Sequence, residues 1–311
     1  MSSLYAAILS AIAFLVSPAV QAAPLTPEQQ ARCDAPAMES YRKACRDGYS
    51  TAALKFPAQA EEGTSWRSGG MAIVKPAGRG PFPTLVVMHT CDNIDADQLR
   101  YWVRAAIERG HVAFVLDSFT QRSVQRGTCT QTPADFTFPV YPTRARDAYD
   151  ALRHLAGLPY VDRSRISAIG FSQGGRIGYM MAGQRIATMF SDPGLGFRRI
   201  VSVYGRCRSP VSDKRWWVQD DSATPLLALL GGKDSDGDAS ECLPRFEMLK
   251  ASGRPVEWHV YANAAHAWDN RRFVPPRQVS QWGIPGNMVR FEYDPRVTDD
   301  SRDRAFSFIA R

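Results

Sequence analysis

The chain has 311 residues, of which 44% are hydrophobic and 22% charged, with a formal net charge of +7. That composition is ordinary for a globular protein, excludes a mostly disordered chain, and suits one large domain or two small ones. The positive balance does not mark a nucleic-acid binder, because Lys and Arg are scattered; the densest group is Arg198, Arg199, Arg206 and Arg208, which reads as solvated surface.

Residues 1–22 carry an apolar run over 4–16 that is too short to span a bilayer comfortably. Ser17, Pro18 and the small residues of AVQA follow, a pattern suited to cleavage after Ala22, although no Lys or Arg precedes the apolar run. A signal peptide over 1–22 is expected, and with it a periplasmic or secreted protein without stable membrane insertion once it is cleaved. Cys33, Cys45, Cys91, Cys129, Cys207 and Cys242 would all remain. An even count in an exported chain favours disulfides, and the absence of any CxxC pair argues against zinc. Six cysteines allow many pairings; Cys33–Cys45 is the local one.

Residues 23–65 are polar and irregular, with helix-like patches over 27–33 and 36–46, and read as an N-terminal arm. From residue 66 the chain alternates strand and helix. MAIVKP reads as a strand, GRGPFP as a turn and TLVVMH as an unbroken apolar strand, the mark of a buried central position. ADQLRYWVRAAIERG places Leu99, Trp102, Val103, Ala106 and Ile107 at helical spacing and stops on Gly110. HVAFVLD is a strand and TRARDAYDALRHLAG a helix; RISAIGF is a strand and QGGRIGYMMAGQ opens a helix. RRIVSVYG, TPLLALLG and RPVEWHVY are further strands, ECLPRFEMLKASG and TDDSRDRAFSFIAR further helices. Such alternation predicts an α/β fold over 66–311: a mostly parallel central sheet with helices on both faces.

Within that frame, Gly170-Phe171-Ser172-Gln173-Gly174 is G-x-S-x-G between a predicted strand and a predicted helix. This is the setting of a nucleophile elbow, with a helix N-terminus behind the serine to favour negative charge. A serine hydroxyl needs a base. Of the five histidines, His89, His111, His154 and His259 fall in or beside predicted strands and a helix. His266 lies in the loop YANAAHAWDN after the last predicted strand, free to reach the C-terminal edge of the sheet where such sites assemble. The order nucleophile, acid, histidine then asks for a carboxylate between them. Asp234 follows the strand PLLALLG most closely and is preferred over Asp236 and Asp238. A calcium loop would need Gly and Glu at its sixth and twelfth positions, where Ala239 and Arg245 stand. No metal is expected. An oxyanion site needs two backbone N–H groups, expected from Gln173 and from Thr90 or Cys91. Cys91 as a rival nucleophile is disfavoured in an oxidising compartment, where a disulfide, with Cys129 as one partner, is the expectation.

VVMHTC, LDSF, GFSQGG, GGKD and AAHAW together resemble the dienelactone hydrolase-like members of the α/β-hydrolase superfamily, over residues 71–311. Similar proteins often carry His-Gly-Cys-Gly-Gly where this chain reads His89-Thr90-Cys91-Asp92-Asn93. Dienelactone hydrolase proper uses a cysteine nucleophile, so Ser172 points to serine-esterase chemistry. The resemblance implies Ser172, Asp234 and His266 as a triad, in agreement with the reading of the residues, which adds Gln173 and Cys91 at the oxyanion, no cofactor, and a small ester or lactone as substrate. Arg122, Arg206 and Trp268 are the candidate substrate contacts, the arginines for a carboxylate. A silent binding protein of the same fold, or a peptidase or carbon–carbon hydrolase with the same triad, are the alternatives. The Pro-rich stretch RRFVPPRQVSQWGIPGNM after His266 reads as a lid or a long surface excursion.

Overall fold

A computed structural model describes residues 23–64, 66–124, 127–132, 135–209, 216–281 and 286–311; the expected signal peptide lies outside these residues. The chain enters through α1 (Pro27–Asp34) and α2 (Glu39–Tyr49). Thr26 caps α1 in a capping box with Gln29, satisfying backbone donors that the helix leaves open. The Cys33–Cys45 disulfide joins the two helices.

Eight strands form one sheet: β1 (Ala60–Glu62), β2 (Ala72–Lys75), β3 (Phe82–Met88), β4 (Val112–Leu116), β5 (Val161–Phe171), β6 (Ile200–Val203), β7 (Leu226–Gly231) and β8 (Val256–Tyr261). Their spatial order is β1-β2-β4-β3-β5-β6-β7-β8, and every neighbouring pair is parallel except β2 with β4. This is an α/β-hydrolase fold. Within 23–65, the arm contributes β1 as an edge strand of the main sheet.

The central strands are apolar throughout because both of their faces are covered. In β3, Val86 and Met88 face one core and Leu85 and Val87 the other. The first core is closed by α4 (Val140–Ala156), α5 (Gln173–Met181), α6 (Gln184–Phe190) and α7 (Ala239–Ala251), with Cys33, Cys45 and Tyr49 of the arm. The second is closed by α3 (Ala96–Glu108) and α8 (Pro295–Ala310). Each of these two helices starts at an aspartate cap, Asp95 for α3 and Asp294 for α8. Between His266 and α8, in the stretch read as a lid or a long surface excursion, the chain forms an antiparallel pair, β9 (Arg277–Ser280) and β10 (Met288–Phe291).

Candidate active site

Strands β3, β5 and β7 end on the same edge of the sheet, and the loops leaving them build the site. Gly170 and Gly174 let β5 pass into α5 without a longer loop. A Cβ on Gly170 would collide with the Gly174 carbonyl, and one on Gly174 would lie 2.5 Å from the Met88 oxygen. Ser172 stands at the apex with φ 51° and ψ −111°, a conformation that costs an L residue about 1–3 kcal/mol and is retained where surrounding structure enforces it. Its N–H donates to the Val203 carbonyl at 2.9 Å.

His266 reaches the serine from the far side of the sheet: its Nε2 lies 3.0 Å from Ser172 Oγ. Its Nδ1 lies 2.7 Å from Asp234 Oδ2. The other carboxylate oxygen of Asp234 accepts the N–H groups of Asp236 and Gly237 at 2.9 and 3.0 Å. Asp234 therefore keeps one oxygen for the loop and turns the other to the imidazole. Burial pushes the His266 pKa down, but the charge and hydrogen bond of Asp234 outweigh it, and the net displacement is upward. The tautomer follows: Nδ1 donates to the carboxylate, leaving Nε2 to accept from the Ser172 hydroxyl. The backbone of His266 is held by β10, donating to Arg290 O at 3.0 Å and accepting from Glu292 N at 3.2 Å. The β9–β10 pair thus positions the histidine as well as roofing the site.

The other histidines are engaged elsewhere. His89 Nδ1 donates to the carbonyls of Thr90 and Asp92 at 2.8 and 2.9 Å, and burial holds this ring far below the ordinary imidazole range. His154 Nε2 bonds the Pro57 carbonyl at 3.0 Å. Among the described residues only His266 bonds Ser172. Asp236, the second-choice acid, has its carboxylate in a buried ion pair with Arg176 while its N–H supports Asp234.

Ser172 and His266 open into a cavity of about 310 Å³ that Thr90, Cys91, Cys129, Phe273, Arg277 and Phe291 also line. Cys91 and Cys129 form a disulfide in its wall, and Cys207–Cys242 is the third bridge. Gln173 is wholly buried at the first turn of α5, its side chain donating to Thr128 Oγ1 at 3.0 Å.

The three candidate substrate contacts lie outside this lining. Arg122 is spent on Asp147, with two bonds of 2.8 Å, and on the Ser118 and Ala52 carbonyls. Arg206 turns to Asp236 and to the Arg208 carbonyl. Trp268 is fully buried, its Nε1 donating to Ser301 Oγ at 3.2 Å. Among the described residues the cations lining the pocket are Arg272 and Arg277. Sequence reading also passed over Arg144 of α4, which is 2% exposed and donates to Gln173 Oε1, Thr90 O and His89 O at 2.6, 3.2 and 2.7 Å. The only signal for it was an arginine on a helix that must be largely buried.

Among the described residues no cluster of side chains has the makings of a metal site, and no helix is long and apolar enough to cross a membrane. Comparison with known proteins agrees with this architecture. The esterase FrsA of Klebsiella pneumoniae is 26% identical over 274 residues, covering 85% of this chain and 61% of that protein. An uncharacterized peptidase of Bacillus subtilis, YtmA, is 29% identical over 159 residues, covering 44% of this chain and 61% of that protein. The chain thus spans about three-fifths of the length of these curated relatives. A thermophilic esterase from Thermogutta terrifontis, solved with butyrate bound, superimposes with a TM-score of 0.54 at 16% identity, covering 77% of this chain and 88% of that one. The dienelactone hydrolase-like promiscuous phosphotriesterase P91, from metagenomic libraries, gives 0.52 at 19% identity, covering 75% and 87%. The family model for dienelactone hydrolases matches residues 70–311. With that match over most of its length, the chain belongs to the dienelactone hydrolase family.

Proposed function

We propose that the protein is an exported serine hydrolase that cleaves small carboxylic esters or lactones through an acyl-enzyme. His266 Nε2 takes the Ser172 hydroxyl proton as Oγ adds to the substrate carbonyl carbon. Asp234 holds the Nδ1–H tautomer and stabilises the imidazolium. The N–H groups of Gln173 and Cys91 bind the oxyanion. The carbon–oxygen bond to the leaving alcohol then breaks, and His266 returns its proton to that alkoxide. Water, activated by His266, adds to the acyl-enzyme, and collapse releases the acid and restores Ser172. This route requires no metal or organic cofactor.

The observation that carries the reading is the unbroken chain from Asp234 through His266 to Ser172, at 2.7 and 3.0 Å, ending in a cavity. A cavity of about 310 Å³ suits small acyl and alkyl groups. The relative named as an esterase and the butyrate-bound structure speak for the same chemistry. Three disulfides favour an oxidising compartment, and so export after cleavage of residues 1–22. A peptidase is the second reading, resting on the name of the Bacillus relative.

Hydrolysis of short p-nitrophenyl esters and matched anilides by the mature, oxidised protein and by Ser172→Ala tests both. Ester turnover lost in the variant supports the proposal, anilide preference supports the second reading, and a wild-type protein that neither turns over substrate nor reacts with a fluorophosphonate at Ser172 overturns both.

A further inference from the structure

His89-Thr90-Cys91-Asp92-Asn93 puts side chains where close approach to a substrate oxygen would be easiest with glycine. The loop is nevertheless gripped at every peptide. The Cys91 carbonyl accepts the N–H of Thr128 at 2.6 Å, and its sulfur is bonded to Cys129. The Thr90 carbonyl accepts from His89 Nδ1 and from Arg144 Nη1, at 2.8 and 3.2 Å. His89 is able to donate there because its Nε2 accepts the Ser118 N–H at 3.4 Å, leaving the proton on Nδ1.

Arg144 is the unexpected member. It lies in the core with its guanidinium 5.0 Å above the Phe119 ring, and its acceptors are three neutral oxygens, those of His89, Thr90 and the Gln173 side chain. Among the described residues it forms no ion pair. A buried cation whose hydrogen bonds all go to neutral oxygens is costly even with the Asp147 and Asp117 charges nearby, and packing alone would be served by an apolar side chain. One nitrogen, Nη1, bonds both Thr90 O and Gln173 Oε1, so it spans the gap between the β3 loop and the start of α5. A trans peptide is planar with its C=O and N–H pointing in opposite directions. Donors on the Thr90 oxygen therefore turn the Cys91 N–H the other way and, by polarising the peptide, make it a stronger donor.

We propose that Arg144 is a positioning residue of the oxyanion site, a buried cation that sets the spacing of the Gln173 and Cys91 amides and aims the Cys91 N–H into the pocket. The inference rests on the serine hydrolase reading above. In this protein Arg144 and the Cys91–Cys129 bridge tie the loop to α4 and to its neighbouring chain segment.

Full-length mature protein, oxidised, is compared with Arg144→Met and Arg144→Lys on p-nitrophenyl butyrate and on a trifluoromethyl ketone of the same acyl length, which adds to the serine to form a tetrahedral oxyanion. Arg144→Met is expected to lose about 100-fold in kcat. KM should stay within about twofold, the ketone should bind weaker by a similar 100-fold, and the fraction of molecules labelled by fluorophosphonate should be unchanged. Arg144→Lys should recover part of the loss. The acidic limb of the pH profile should not move, because the Asp234–His266 pair is untouched. The proposal is overturned if Arg144→Met keeps kcat and ketone affinity within about threefold, if its loss matches a fall in the labelled fraction, or if neither variant folds, since Arg144 would then be purely structural. A wild-type protein inactive and unlabelled at Ser172 would instead sink the underlying serine hydrolase reading.

Discussion

Replacing Asp234 by asparagine tests how one hydrogen bond sets the state of another. Asp234 Oδ1 is bound by two backbone N–H groups, at 2.9 and 3.0 Å, so an asparagine must put its carbonyl oxygen there. Its NH₂ then faces His266 Nδ1 at the 2.7 Å contact. An amide donor compels Nδ1 to accept, which moves the imidazole proton to Nε2, against Ser172 Oγ. The histidine would then present a donor where the reaction needs a base. Nothing is lost in volume, so the fold should stand, but kcat should fall about 10⁴-fold, or roughly 5 kcal/mol of barrier. KM should change little, because Asp234 is absent from the cavity lining. The assay is p-nitrophenyl ester hydrolysis at pH 7–8, with thermal unfolding beside it. A loss smaller than about tenfold in a folded variant would refute the tautomer argument.

Three further expectations follow from the same geometry. The Asp234 carboxylate overcomes burial to raise His266, whose neutral form is the base, so kcat/KM should fall with acidification through a midpoint above the ordinary imidazole value of about 6.5; a midpoint below it would contradict the assignment. Serine at both Cys91 and Cys129, which close a separation of 38 residues, should cost about 4 kcal/mol of stability in the chain-entropy account and lower kcat through a looser oxyanion loop; urea midpoints and ester turnover measure the two effects, and unchanged turnover would separate the bridge from the chemistry. Arg122→Met leaves the fully buried Asp147 short of two hydrogen bonds and should destabilise by about 3–5 kcal/mol, with KM for neutral and anionic esters unaltered; a KM rise confined to anionic esters would restore its reading as a substrate contact.

Much of the fold was legible because its signals are local. The apolar runs of β3 and β7, the 3.6-residue spacing in α3 and the glycine stops each depend on residues within one element. The candidate site was legible for a related reason. A serine between glycines at a strand-to-helix turn announces itself, and chain order narrows the search for its acid and base to a few residues. The β9–β10 pair escaped because two four-residue strands in a proline-containing stretch are too short for their alternation to stand out, and the contact of β10 with His266 is a tertiary one.

What the tertiary structure alone decided is how the arginines are spent. Arg122, Arg144 and Arg206 look alike in a sequence, each a cation near a predicted element. Folding gives Arg122 to Asp147, Arg206 to Asp236, and Arg144 to three carbonyl oxygens beside Ser172, across separations of up to 55 residues. A long, flexible side chain takes its role from whichever groups are desolvated with it. Strand and helix periodicity dictates which faces are buried, but only the packed molecule determines which polar atoms share that burial.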